Sequence, residues 1–124
     1  MNLLLDTNVL LWWLEASPRL PAKARVAIQQ SAATYVSVAS VWEIEIKVSQ
    51  GKLEFRGNTE QQLTLNRFSS LNITTTHAIA AARLPLHHRD PFDRMLVAQA
   101  SLEGLTLMTS DARLKAYNVP VLVA

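Results

Sequence analysis

Four of the ten acidic residues in this chain lie where a carboxylate is unusual, directly after a short apolar run or early in a helical segment: Asp6, Glu43, Asp93 and Asp111. Carboxylates that converge cannot all stay ionised without a cation, because like charges at close range raise one another's pKa. The chain has no cysteine and three histidines, so an oxygen-rich site suits Mg²⁺ or Mn²⁺ rather than zinc. A metal held in this way activates water and stabilises charge on a phosphoryl oxygen, so phosphodiester hydrolysis is the expected chemistry.

The elements that would position these carboxylates alternate along the chain. Short apolar or β-branched runs predict strands at residues 3–5, 34–38, 71–75, 105–108 and 119–123. Longer segments predict helices at residues 7–15, 22–31, 39–50, 60–69, 77–83 and 90–103, with a helical turn at 111–116. This alternation favours an α/β fold with a central parallel sheet of four to five short strands flanked by helices on both faces. The carboxyl ends of parallel strands meet at one edge of such a sheet, where ligands bind.

Length and composition indicate one globular domain, residues 1–124. A content of 49% hydrophobic and 18% charged residues excludes a disordered chain. The formal net charge of +2 is too small to indicate a nucleic-acid-binding protein by itself. No apolar run approaches the roughly 18 residues of a membrane span, and Asp6 interrupts the first run, so neither a membrane helix nor a signal peptide is expected. We therefore expect a cytoplasmic protein.

Each acidic residue also has an ordinary structural explanation. Asp6 is a good N-cap for the helix that follows it, and Asp111 is favoured in a first helical turn by the helix dipole. Glu43 could pair with Lys47, four residues further on, for a gain of only a few tenths of a kcal/mol. If caps and pairs are the whole explanation, the chain is a non-catalytic module.

The segment that begins at Asp90 has the same two explanations. Asp90 as N-cap, Pro91 at the first helical position and Asp93 at the third form a capping pattern. Capping and chemistry are compatible here, because a cap by Asp90 would orient Asp93 towards the cleft. The joint placement of the four acidic residues along one predicted sheet edge favours a site.

Four ordered motifs resemble those of PIN domains, in particular the VapC-type toxins of bacterial type II toxin–antitoxin pairs. The opening motif, at residues 5–12, reads LDTNVLLW, and the second, at residues 40–47, reads SVWEIEIK and is followed by Gly51-Lys52-Leu53. The third, at residues 89–100, reads RDPFDRMLVAQA, and the fourth, at 107–111, reads LMTSD. The motifs occur in the family's order and span almost the whole chain, so the match is specific. Asn8 stands where many relatives have histidine, at a position that does not carry the chemistry.

The resemblance implies a metal-dependent endoribonuclease that uses Mg²⁺ or Mn²⁺. By motif match, the core metal ligands would be Asp6, Glu43 and Asp93, and Asp111 would complete the site directly or through water. Hydroxyl groups that orient carboxylates or waters would come from Thr7 and from Thr109 or Ser110. Asp90 is an additional acidic residue that could join the metal site.

Arginines flank the acidic motifs at positions 89, 94 and 113. Arg89, Arg94 and Arg113 are candidates for binding the phosphates on either side of the cut, although each is also explained as an ordinary solvated arginine. His87 and His88 are adjacent and point in different directions on most backbones, so we expect them at the surface.

Aromatic residues and the resemblance both bear on partners. The tryptophans at 12, 13 and 42 are expected in the core or an interface, and two of them in sequence indicate an apolar surface that meets a partner. The resemblance implies an RNA substrate, a homodimer and a small cognate antitoxin that covers the active site. The alternatives are a PIN-like nuclease of RNA or DNA processing without a toxin role, and a non-catalytic α/β module that binds nucleic acid or a partner.

Overall fold

The computed structural model describes residues 1–55 and 57–124. Within these residues, the strands are β1 (Asn2–Leu5), β2 (Ala33–Ser37), β3 (Ser69–Leu71), β4 (Thr106–Thr109) and β5 (Val121–Val123). The helices are α1 (Thr7–Leu14), α2 (Ala22–Gln30), α3 (Val38–Ser49), α4 (Thr59–Leu65), α5 (Thr75–Arg83) and α6 (Pro91–Glu103), with a 3₁₀ helix at Ala112–Ala116. The predicted alternation of strands and helices is confirmed.

The strands form one sheet in the order β3-β2-β1-β4-β5, with every neighbouring pair parallel. β1 is central and pairs with β2 on one side and with β4 on the other. The strand order therefore reverses at β1, and in open α/β sheets such a switch point leaves a crevice beyond the carboxyl ends of the strands. Asp6 directly follows β1, so the first acidic residue of the sequence stands at this crevice.

The sheet buries apolar side chains on both faces, because successive residues of a strand point to opposite sides. Leu3 and Leu5 lie in a core cluster with residues of α1, α2 and α3, including Ile44. Leu4 lies in the other cluster, which includes Leu96 of α6. All five of these side chains are fully buried or within 1% of it, so helices on both faces hold the sheet rigid beneath the crevice.

The third strand and the helix before it differ from their predicted positions. The predicted helix 60–69 ends at Leu65, and β3 is Ser69–Leu71 rather than residues 71–75, where Ile73 and its threonine neighbours are β-prone. Thr74 instead forms a capping box with His77 at the start of α5, so local capping chemistry determines the structure there.

Among the described residues, no helix is long and apolar enough to cross a lipid bilayer.

Candidate active site

Asp6 is held at the end of β1 by hydrogen bonds on both carboxylate oxygens. Oδ1 accepts the backbone N–H of Val9 at 2.8 Å, which caps α1. Oδ2 accepts the Thr109 hydroxyl at 2.7 Å and the Ser110 backbone N–H at 2.9 Å. Burial raises the pKa of Asp6, and these hydrogen bonds oppose that rise. The N-cap uses only Oδ1. Oδ2 links the end of β1 to the end of β4 through its hydrogen bonds with Thr109 and Ser110.

Glu43 reaches the same edge from α3. The hydroxyl of Thr7, the residue after Asp6, donates to Glu43 Oε1 at 2.6 Å. Glu43 Oε2 pairs with the Lys47 ammonium at 3.3 Å. The predicted ion pair between Glu43 and Lys47 is therefore present. It uses only Oε2 of Glu43, and Oε1 accepts from Thr7 of the opening motif.

Asp93 is placed by the capped start of α6. Asp90 Oδ1 accepts the backbone N–H of Phe92 at 2.8 Å, and Pro91 occupies the first helical position. The pKa of Asp93 is raised to about 7, first by burial, then by the charges of Asp90, Asp6 and, to a smaller extent, Glu43. The charges of the other acidic side chains therefore act on Asp93.

Asp111 lies on the other side of the crevice, after β4. It caps the 3₁₀ helix by accepting the backbone N–H of Arg113 at 3.0 Å. The Arg113 guanidinium also donates to both Asp111 oxygens, at 3.0 and 2.7 Å. These contacts lower the pKa of Asp111, opposite in direction to the shift of Asp93. The Arg113 guanidinium forms an ion pair with Asp111 in the structure, although the Arg113 side chain is exposed.

His88 joins the two aspartates on either side of the crevice. Its Nε2 lies 2.8 Å from Asp111 Oδ2 and 3.4 Å from Asp93 Oδ2. Its Nδ1 accepts the backbone N–H of Asp90 at 3.0 Å, so the proton of the neutral ring is on Nε2. The expectation of a surface histidine is wrong, because His88 is only 9% exposed.

Among the described residues, His88, Asp93 and Asp111 are the acidic and histidine side chains whose ligand atoms all lie within 4.8 Å of one another. Asp6 and Glu43 are not part of this 4.8 Å group, so the four predicted metal ligands do not form one equally close cluster. We do not assign His88 as a metal ligand, because the Asp90 N–H on Nδ1 leaves Nε2 as a donor rather than a lone pair. Its geometry suits a side chain that positions the two aspartates.

Arg94 does not face a substrate. The side chain is only 9% exposed, and its guanidinium donates to the carbonyls of Ala81 and Leu84 at 2.9 Å and to that of His88 at 3.2 Å. It thereby fastens the end of α5 and the loop that carries His88 onto α6. This contradicts the predicted role of Arg94 in phosphate binding, since a guanidinium occupied by buried carbonyls cannot contact RNA. Arg89, in contrast, is exposed at the rim of the crevice.

The tryptophans divide into two environments. Trp12 and Trp13 are partly buried against the core, and Trp13 Nε1 donates to Asn66 Oδ1 at 2.9 Å. Trp42 is 62% exposed and meets Phe92 edge to face, with ring centroids 5.4 Å apart. Of the two predicted environments, the core is therefore wrong for Trp42, and an interface stays a prediction.

The comparisons with known proteins agree with this architecture. Residues 3–120 match the family described as PIN domain. The chain belongs to the PIN domain family. Ribonuclease VapC22 from Mycobacterium tuberculosis is 30% identical to it over an aligned length of 123, and the match covers 96% of this chain and 94% of that protein. The resemblance of the four motifs to VapC-type PIN domains is thereby confirmed.

Solved structures show the same PIN fold at lower sequence identity. A chain of VapBC2 from Rickettsia felis, bound to a DNA fragment from its promoter, superposes with a TM-score of 0.72 at 16% identity and covers 99% of this chain and 98% of its own. A chain of a toxin–antitoxin complex from Klebsiella pneumoniae gives 0.69 at 21% identity and covers 97% and 95%. The predicted fold class is confirmed.

The sequence prediction missed two features of this PIN domain. His88 lies two residues before the cap Asp90, and this spacing was the available sign that its ring turns back onto α6. Arg94 directly follows Asp93 in the third motif, but helical periodicity places successive residues about 100° apart. Asp93 therefore faces the crevice, and Arg94 faces the protein interior.

Proposed function

We propose that this PIN domain is a Mg²⁺- or Mn²⁺-dependent endoribonuclease and the toxin of a toxin–antitoxin pair. The observation that carries the proposal is the pair of hydrogen bonds that holds acidic side chains at one edge of this PIN domain: Thr109 donates to Asp6 at 2.7 Å, and Thr7, the residue after Asp6, donates to Glu43 at 2.6 Å. Burial first, and then the charges of neighbouring carboxylates, raise the pKa of Asp93 to about 7, and a bound cation would offset this cost of ionisation. The donor set is carboxylate oxygen throughout, which fits Mg²⁺ or Mn²⁺.

The proposed ligands are Asp6, Glu43 and Asp93, with Asp111 completing the set. A divalent cation held by these residues would lower the pKa of a bound water and would offset negative charge on the scissile phosphate. Thr109 and Ser110 fix Asp6 through hydrogen bonds, and Thr7 fixes Glu43. Hydroxyls of this kind hold a carboxylate in one orientation, which improves both affinity and geometry.

His88 and Arg94 would stabilise the positions of the proposed metal ligands. His88 donates to Asp111 and faces Asp93, so it keeps the two carboxylates at a fixed separation. Arg94 holds the loop that carries His88. No side chain needs to form a covalent intermediate in this reaction, because water is the nucleophile.

The toxin role is supported by the named relatives. VapC22 is a ribonuclease, and one structurally similar chain comes from a toxin–antitoxin complex of Klebsiella pneumoniae. We propose a cognate antitoxin that covers the crevice, a homodimer, and a cytoplasmic location, where the RNA substrate would be met.

The proposal is tested by metal-dependent RNA cleavage with a matched pair of substitutions. Glu43→Gln should abolish cleavage in Mg²⁺ or Mn²⁺, and Glu60→Gln, an exposed glutamate of α4, should leave it intact. Circular dichroism of both variants checks that the fold survives. Cleavage that persists in EDTA, or in Glu43→Gln, would contradict the proposal.

The toxin role is tested separately by expression with and without the antitoxin. Active chain produced alone should arrest growth, and Glu43→Gln produced alone should not. Harmless expression of an active nuclease would instead favour a role in RNA or DNA processing.

A further inference from the structure

Tyr117 lies directly after the 3₁₀ helix, and its hydroxyl reaches the loop between α5 and α6, residues 84–90. The side chain is only 5% exposed and belongs to the core cluster that contains Leu96 and Leu114. A tyrosine that is buried among apolar side chains needs polar partners for its hydroxyl. These partners therefore define which parts of the structure Tyr117 holds together.

The hydrogen-bonding capacity of the Tyr117 hydroxyl is used within the protein. The hydroxyl donates to the Pro85 carbonyl at 2.7 Å. It accepts the His88 backbone N–H at 3.1 Å and Arg94 Nη1 at 3.4 Å. Because a hydroxyl has one proton to donate and two lone pairs, each is occupied. The hydroxyl thereby fastens two residues of the loop to the segment that follows the 3₁₀ helix.

His88 is the residue of this loop that reaches the crevice. Its backbone N–H is held by Tyr117, and its backbone carbonyl accepts from Arg94 at 3.2 Å. From this fixed backbone, ring Nε2 lies 2.8 Å from Asp111 Oδ2 and 3.4 Å from Asp93 Oδ2. Tyr117 and Arg94 together therefore determine where the His88 ring stands between the two aspartates.

The Tyr117 hydroxyl also joins the two sides of the crevice. Asp93 lies in the first turn of α6, and Asp111 caps the 3₁₀ helix on the opposite side. Tyr117 comes from the side of Asp111, and its hydroxyl bonds to the loop that leads into α6. Metal ligands must keep their separation to within about 0.5 Å for a productive site. A buried hydrogen bond between the two sides restricts that separation.

We propose that Tyr117 is a positioning residue of the nuclease site, which acts through His88 to keep Asp93 and Asp111 at the separation that a divalent cation requires. This inference rests on the proposed function, because it concerns the ligands of the same cation. The hydroxyl bonds to Pro85, His88 and Arg94 rather than to a proposed ligand. Its effect on the cation therefore passes through the loop.

Tyr117→Phe tests the proposal because it removes the hydroxyl and keeps the ring in the core, so the fold should survive, which circular dichroism checks. Mn²⁺ affinity, measured by calorimetry without RNA, should fall about tenfold. At saturating Mn²⁺, kcat for RNA cleavage should fall with little change in KM. Tyr35→Phe is the matched control and should change neither quantity, since Tyr35 is the other tyrosine of the chain and packs against the same core cluster.

A double-variant cycle with His88→Ala separates positioning from general stabilisation. In the absence of the His88 ring, Tyr117→Phe should lower neither Mn²⁺ affinity nor kcat any further. It should still lower the urea unfolding midpoint, because the backbone N–H of residue 88 loses its acceptor. Losses of Mn²⁺ affinity and kcat that are additive with those of His88→Ala would overturn the inference, because Tyr117 would then act independently of His88.

The same measurements distinguish this inference from the proposed function. Mn²⁺ affinity that depends on the Tyr117 hydroxyl, without RNA cleavage by the wild type, would support the positioning role and contradict the nuclease. Cleavage and Mn²⁺ affinity that are equal in the wild type and in Tyr117→Phe would support the nuclease and overturn the positioning role.

Discussion

Replacing Asp93 with asparagine should stabilise the metal-free protein at alkaline pH, although it should abolish catalysis. The pKa of Asp93 is raised from 3.8 to about 7, so the folded protein keeps this proton to a much higher pH than the unfolded chain does. Between these pH values the folded state binds more protons, and the free energy of unfolding falls as pH rises. Above about pH 7 Asp93 is ionised in the folded protein, and the free energy of unfolding is reduced by the full free energy of that ionisation.

The magnitude follows from the size of the pKa change. A rise from 3.8 to about 7 corresponds to about 4 kcal/mol as an upper bound. Asparagine forgoes the favourable effect of a carboxylate in the first turn of α6, about 0.3–1 kcal/mol. Relaxation of the ionised carboxylate towards solvent reduces the difference further, so we expect Asp93→Asn to gain about 1–3 kcal/mol. The asparagine carbonyl can still accept from His88, so the local hydrogen bonding is preserved.

The assay is urea unfolding in EDTA at about pH 8.5 and about pH 5. At about pH 8.5 Asp93→Asn should have the higher unfolding midpoint. At about pH 5 its advantage should be smaller, because the free energy of unfolding of the wild type falls over the whole range from pH 3.8 to about pH 7. Added Mg²⁺ should then stabilise the wild type and not the variant, because only the wild type retains the proposed ligand.

Asp111→Asn is the control of opposite sign. Hydrogen bonds from Arg113 lower the pKa of Asp111, so its contribution to stability is present above the unfolded pKa and is lost as pH falls. Asp111→Asn should therefore destabilise the protein at about pH 8.5, where Asp93→Asn stabilises it. Equal stability of Asp93→Asn and wild type at the higher pH would refute the argument that burial and the neighbouring carboxylates oppose ionisation of Asp93.

Three further outcomes follow from the structure. Arg94→Leu should lower the free energy of unfolding by about 3 kcal/mol or more, because buried carbonyls lose their donor; a loss below about 1 kcal/mol in urea would contradict this role. Thr109→Val should weaken Mn²⁺ affinity roughly 10–100-fold by calorimetry, since Asp6 loses its hydroxyl donor, and unchanged affinity would count against it. His88→Ala should lower kcat with little change in KM, and His88→Gln, which can still donate to Asp111, should restore part of the rate; an effect on KM alone would show that His88 contacts substrate.

The sequence predicted the elements and their order because those depend on local chemistry. The apolar run of β1, the cap at Asp90 and the stop at Gly104 are each determined by residues within a few positions. The parallel arrangement then follows from the alternation of strands and helices. Since the ends of parallel strands meet at one edge, the proximity of Asp6 to the region of Asp111 was also predictable from the sequence.

Contacts between distant segments decided the rest, because no local pattern encodes them. β3 forms where Ser69–Leu71 can pair with β2, not where the β-branched residues are densest. Arg94 is buried because the end of α5 presents carbonyls to it, and Trp42 is exposed because its neighbour Ile44 takes the core position on α3. The sequence by itself determined which carboxylates stand at the sheet edge. Only the tertiary structure placed His88 between two of them, because that requires three separate segments to pack at once.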